Sequence, residues 1–182
     1  MIDGILDERE WELAPIAGDF IQKEPREGQP ATEPTEVRLL YDDENLYIGI
    51  YCFDSSPEEL IVNDVTRDYA PNLGDHFSVV LDTFDDNRNA FIFGTNPGGA
   101  LREGQMGGDG KASNFDWDAV WYVKSTITEE GWQAEMAIPF KSLRYRPGPA
   151  QVWGVQLRRT VRRKNELAYL TPVPISVGRR GI

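Results

Sequence analysis

Thirty carboxylates, one histidine at position 76 and one cysteine at position 52 bound the chemistry open to this 182-residue chain. A single histidine excludes a multi-histidine metal site. A single cysteine excludes an intrachain disulfide and a cysteine-based zinc site. A serine-histidine-aspartate relay could use only His76, and no nucleophile elbow, phosphate loop or dinucleotide fingerprint occurs. With thirty acids, carboxylate pairs arise by chance, so glycosidase chemistry cannot be read from them. The residue types favour binding instead. Asp54, Asp75 and Asp82 stand at predicted strand ends, and oxygen ligands from loops are what Ca²⁺ takes. They are the candidate metal ligands, although aspartates in such places also close turns and no EF-hand spacing is present. Aromatic rings beside polar groups suit sugars, whose C–H faces pack on rings while their hydroxyls need hydrogen-bond partners. Trp117, between Asp116 and Asp118, and Tyr169 are ring candidates, with His76 and Arg158 as polar ones. A haem site would need His76 with Met106 or Met136 as axial ligands.

Short alternating segments must position these residues. Residues 37–54, VRLLYDDENLYIGIYCFD, predict a hairpin around the acidic turn 42–45. Leu46, Ile48, Ile50 and Cys52 share one face of its second strand; Tyr47, Tyr51 and Phe53 share the other. Both faces are apolar or aromatic, which predicts a central strand covered on both sides. Gly49 leaves a gap between two tyrosines where a flat ligand or a neighbouring backbone could approach. Residues 19–23, 76–83, 90–95, 119–128, 132–138, 152–161 and 166–170 read as further strands. Residues 57–60 and 139–143 read as single helical turns. Trp11 and Leu13 are expected to anchor a polar N-terminal lead-in, and the glycine-rich residues 96–116 read as one long loop. No helical period extends over ten residues. The pattern predicts an all-β fold, an antiparallel β-sandwich of jelly-roll or immunoglobulin-like type with little helix. Residues 1–170 form that unit, and 171–182 read as a linker or the truncated start of a next region.

Charge is unevenly spread. Residues 1–140 carry 9 basic and 29 acidic side chains, whereas 141–182 carry 10 basic and one acidic, for a net charge of −11. The acidic bulk argues against nucleic-acid binding, which needs clustered cations. The basic stretch around Arg158, Arg159, Arg162, Arg163 and Lys164 is expected to neutralise earlier acidic strands. No apolar run approaches the ~20 residues of a membrane-spanning helix, so no membrane insertion is expected.

Several blocks together resemble a family 9 carbohydrate-binding module. They are DGILDEREW, LLYDDENLYIGIYCFD, GDHFSVVLD, FGTN, EEGWQAEMAIPFKSL and WGVQLRR, in the family's order over most of residues 3–163. The nearest likeness is to a bacterial subset in which the module precedes a large uncharacterised, envelope-associated region. The resemblance implies a β-sandwich with a sugar slot, bound Ca²⁺, and frequent attachment to a glycoside hydrolase. It makes Asn96 and Gln156 sugar-contacting amides and puts Ser78 where the family carries an acid. Gly94 stands where an arginine is expected. The stretch DYAPNLG offers only Tyr69 where a clamping tryptophan is expected, and Tyr169 is the remaining residue for the second clamp.

The function so implied is a non-catalytic carbohydrate-binding module for a mono- or oligosaccharide. Its parent would be a longer protein of carbohydrate catabolism, secreted, periplasmic or outer-membrane-associated. The alternative is a docking domain that has lost sugar binding and uses its basic strand, residues 152–164, against the rest of the parent chain.

Overall fold

The computed structural model describes residues 1–108 and 112–176. Eleven strands among them form two antiparallel sheets. In chain order they are β1 (Ile21–Glu24), β2 (Thr35–Tyr41), β3 (Asn45–Phe53), β4 (His76–Asp82), β5 (Ala90–Thr95), β6 (Arg102–Gly107), β7 (Ala112–Asn114), β8 (Tyr122–Thr128), β9 (Gly131–Pro139), β10 (Gly154–Val161) and β11 (Glu166–Tyr169). The larger sheet runs β1-β11-β10-β4-β5-β6-β7 and the smaller β2-β3-β9-β8. Helix is confined to Arg9–Leu13 and three single 3-10 turns. The expected β-sandwich is the fold observed.

Alternation decides which side chains meet. Ile48, Ile50 and Cys52 of β3 and Trp132, Ala134, Met136 and Ile138 of β9 point inward from the smaller sheet. Phe77, Val79 and Leu81 of β4, Phe93 of β5 and Leu157 of β10 meet them from the larger one. At about 25 cal/mol per Å² of apolar surface, this shared interior is the main stabilising term. The β2–β3 hairpin turns on Asp42, whose Oδ1 accepts the N–H groups of Glu44 at 2.8 Å and Asn45 at 2.7 Å.

Three expectations are corrected. Residues 96–116 are not one loop, because β6 and β7 extend the larger sheet by two strands; residues 109–111 lie outside those described. Gly104 disguised this: a Cβ there would stand 2.6 Å from the Phe115 ring, so the glycine makes room for packing inside a strand. Leu13 is exposed, and Trp11 alone of the two is buried. The gap at Gly49 is closed by the lead-in itself, since a Cβ there would meet Leu6 at 2.9 Å and the Trp11 ring at 3.0 Å. Of the expected linker, Val173 packs with Leu167 and Tyr169; residues 177–182 lie outside those described. No helix among the described residues is long and apolar enough to cross a membrane.

Candidate ligand-binding site

The outward face of the larger sheet is where the chemistry collects. One cross-strand row reads Tyr169 on β11, Arg158 on β10, Ser78 on β4, Gly94 on β5 and Arg102 on β6. Side chains in such a row share a face. With His76, Met106, Phe115, Pro71 and Asn72 they line a cleft of about 300 Å³. That is the lower end of the range for small-ligand sites.

Each wall has a local cause. Gly94 lets the His76 ring lie across β5, since a Cβ would stand 2.6 Å from His76 Cε1. His76 is buried, and its Nδ1 shares a hydrogen bond with the Tyr69 hydroxyl at 2.5 Å. Burial, reinforced by the positive charges of Arg158 and Arg102, holds the ring well below its usual protonation range, so it is neutral. Tyr69 is itself buried and its hydroxyl is pushed up by desolvation. Tyr169 is buried beneath the Lys23 ammonium, 5.9 Å from the ring centroid. At the far rim Arg102 donates to the carbonyls of Asp68 (3.1 Å) and Tyr69 (2.8 Å) and stacks on Phe115 at 4.2 Å.

Two buried polar atoms of this cleft have no hydrogen-bond partner among the described residues: Ser78 Oγ and Arg158 Nε. Such atoms are rare in native interiors, and each one calls for an account. They can donate to, or exchange hydrogen bonds with, a ligand that enters.

The fold has close counterparts. Neither a family sequence model nor a curated protein sequence matches the chain. A family 9 carbohydrate-binding module from Caldicellulosiruptor kristjanssonii, solved in complex with cellotriose, superposes with a TM-score of 0.64 at 16% identity, over 93% of this chain and 77% of that one. A protein from Bacteroides uniformis ATCC 8492, described provisionally as carbohydrate-binding, superposes with a TM-score of 0.74 at 7% identity, over 95% of this chain and 84% of that one. The fold is that of a family 9 carbohydrate-binding module.

Within this family-9-like fold the residues expected to bind fall into two groups. His76, Ser78, Arg158 and Tyr169 meet in the cleft. Asn96, Gln156 and Trp117 do not line it. The Asn96 amide donates to Asp64 O (2.6 Å) and accepts from the N–H groups of Gly98 (3.0 Å) and Ala100 (3.2 Å), pinning the turn after β5. Gln156 exchanges both amide atoms with the Thr171 backbone, at 3.0 Å each. Trp117 packs on Phe91 and Phe93, with ring centroids 5.1 and 6.2 Å away. Arg102 and Phe115 were missed because their segment read as loop, and Met106 was named only as a haem ligand beside His76. The alternation of Arg102, Gly104 and Met106 was the available signal. Met136 lies in the core, and Met106 shares the cleft with His76.

Asp54, Asp75 and Asp82 do not fit a shared Ca²⁺. Asp54 binds the Arg163 guanidinium and has Arg159 at 3.9 Å. Asp75 accepts the N–H groups of Ile61 (2.7 Å) and Arg162 (3.3 Å). Asp82 closes the turn after β4 by accepting from Phe84, Asp86 and Asn87. No group of three or more His, Cys, Asp or Glu side chains among the described residues is placed to hold a metal ion. The basic stretch does neutralise earlier acids: Arg163 bonds Glu33 and Asp54, and Lys164 bonds Glu33.

Proposed function

We propose that this chain is a non-catalytic carbohydrate-binding module whose ligand, a mono- or oligosaccharide, enters the cleft over Ser78. The observation that carries this reading is the meeting of Ser78 Oγ and Arg158 Nε, both buried and unpartnered among the described residues, beside the Tyr169 ring. A sugar offers both halves of that contact, hydroxyls for the polar atoms and an apolar face for the ring. The family-9 fold and the cellotriose complex of one neighbour support the same ligand class. On the resemblance of its sequence blocks, the module serves a longer secreted, periplasmic or outer-membrane-associated protein of carbohydrate catabolism.

Amide-detected NMR titration with a panel of neutral and acidic mono- and oligosaccharides tests the reading. Shifts confined to Ser78, Gly94, Arg158 and Tyr169 are expected. Silence across the panel at millimolar sugar would instead favour the docking alternative. That alternative uses the basic strand 152–164; a broad depression of about 620 Å³ on the smaller sheet, where the exposed side chains of Leu13, Tyr41 and Tyr122 cluster, is a separate surface.

A further inference from the structure

The cleft is built of cations in a molecule built of acids. Among the described residues no carboxylate lines it, yet two arginines do. Other arginines of this sandwich have found acids. Arg163 holds Glu33 and Asp54, Arg67 holds Glu103 and Asp118, and Arg159 faces Asp54. Arg158 and Arg102 form no ion pair among the described residues. Among the described residues Arg102 donates to two carbonyls and stacks on one ring. Arg158 has a buried Nε with no partner among the described residues. The adjoining depression, which shares Arg158, carries Glu24 and Glu166. Both Glu166 oxygens are taken by Thr32, at 2.9 and 2.8 Å.

Two guanidinium groups facing one floor repel each other. Burial disfavours the charged form of Arg102; Tyr69 and Asp68 oppose that, and the charge of Arg158 adds a smaller push in the same direction as burial. Neutral hydroxyls leave that repulsion in place. An anionic group removes it and gains charge-assisted hydrogen bonds, roughly twice as strong as neutral ones. Arginine's planar fork matches carboxylate and sulfate geometry, which a lysine does not.

We propose that the saccharide recognised here carries a negative charge, a carboxylate or a sulfate, which pairs with Arg158 above Ser78 while Arg102 supplies the second charge at the rim. The inference rests on the carbohydrate-binding reading above and narrows its ligand class. Ser78 completes the site: at the position where a family 9 module is expected to carry an acid, this chain has a neutral donor-acceptor that does not repel an anion.

Calorimetry on the whole chain, at low salt, decides the matter with matched pairs: methyl glucuronide against methyl glucoside, galacturonate against galactose, and glucose 6-sulfate against glucose. The charged member of at least one pair is expected to bind ten-fold or more tightly than its neutral partner, with the advantage shrinking as salt rises. The uronate and sulfate arms identify which group is read. Arg158→Gln is expected to weaken neutral and charged sugars alike but the charged ones further, so that the within-pair ratio collapses toward one, and Arg158→Lys to restore part of that ratio. Equal affinity within every pair, or an undiminished preference in a folded Arg158→Gln protein, overturns the inference and leaves carbohydrate binding standing. Acetate or inorganic sulfate binding as tightly as the charged sugars would also overturn it, since the sugar would then add nothing. Silence from every saccharide, charged or neutral, removes the parent reading along with it.

Discussion

The Trp11 indole lies against the bare backbone of Gly49, 3.0 Å from where a Cβ would stand. Gly49 pairs with Glu135 across β3 and β9, and Trp11 Nε1 donates to the same Glu135 at 3.2 Å. The N–H groups of Asp3 and Gly4 also converge on that carboxylate, at 2.8 and 2.9 Å. The lead-in is thus a lid on the smaller sheet, seated by a missing side chain and one buried acid. Gly49→Val is expected to lower stability by about 1–3 kcal/mol through overpacking. In a Trp11→Ala background the same substitution is expected to cost less, because the clashing ring is gone. Urea midpoints of the four proteins measure the coupling, and strict additivity would show that the two residues do not sense each other.

His76 is the only histidine, and its pH linkage has a definite sign. Burial first, then Arg158 and Arg102, hold its ring well below 6.5 in the folded state. The unfolded chain therefore takes up a proton near pH 6.5 that the folded chain refuses. The resulting stability is present above that pH and is lost below it, at up to about 1.4 kcal/mol per pH unit. Asp75 and Glu135 are raised by burial and act in the opposite direction, so the wild-type slope alone is ambiguous. The difference between wild type and His76→Gln isolates the histidine. Urea midpoints at pH 7, 6 and 5 are expected to show wild type losing ground to the variant as pH falls, and parallel profiles would place a protonated ring in the fold.

How much of this could be read from residue order depends on what each residue type reports. Residues 37–54 and 132–138 were legible because apolar side chains at period two reveal both strand and buried face. Ser78 came from the family resemblance, and the fold sets it with His76 on the face opposite Phe77 and Val79. Arg102 and Phe115 were hidden because Gly104 looks like loop in a sequence, whereas in the fold the Phe115 ring occupies its missing side chain. Asn96 and Gln156 show a different limit. An amide's type says that it will make hydrogen bonds, but only the fold reveals that its own backbone takes them. The aspartates behave alike: Asp82 closes a turn, and Asp54 has its cation supplied from within the chain as Arg163.

That last substitution of an arginine for an ion yields the most exposed prediction. Arg163 donates to Glu33 Oε1 at 2.7 Å and also binds Asp54, joining two buried acids. Arg163→Met removes that shared cation but leaves Lys164 beside Glu33 and Arg159 beside Asp54, so the cost is expected to fall below the ~3–5 kcal/mol of a buried pair stripped of one partner. The loss must depend on pH. Burial pushes the Glu33 carboxyl up, but the hydrogen bonds from Lys164 and Ser55 outweigh it and hold the group below its usual 4.5. An acid lowered by folding stabilises the fold above its ordinary range, and that stability drains away as pH falls through the folded value. Against burial, Arg163 is itself held in its charged form by Asp54 and Glu33. Its attraction to Glu33 vanishes once that acid is protonated, so the gap between wild type and Arg163→Met should be full at pH 7 and narrow below about pH 4.5. Two neighbouring carboxylates stripped of their guanidinium also become oxygen ligands that a divalent cation can use. Millimolar Ca²⁺ is accordingly expected to raise the melting temperature of Arg163→Met and leave that of wild type unmoved. A rise in wild type as well would mean that the folded chain holds calcium at some other place.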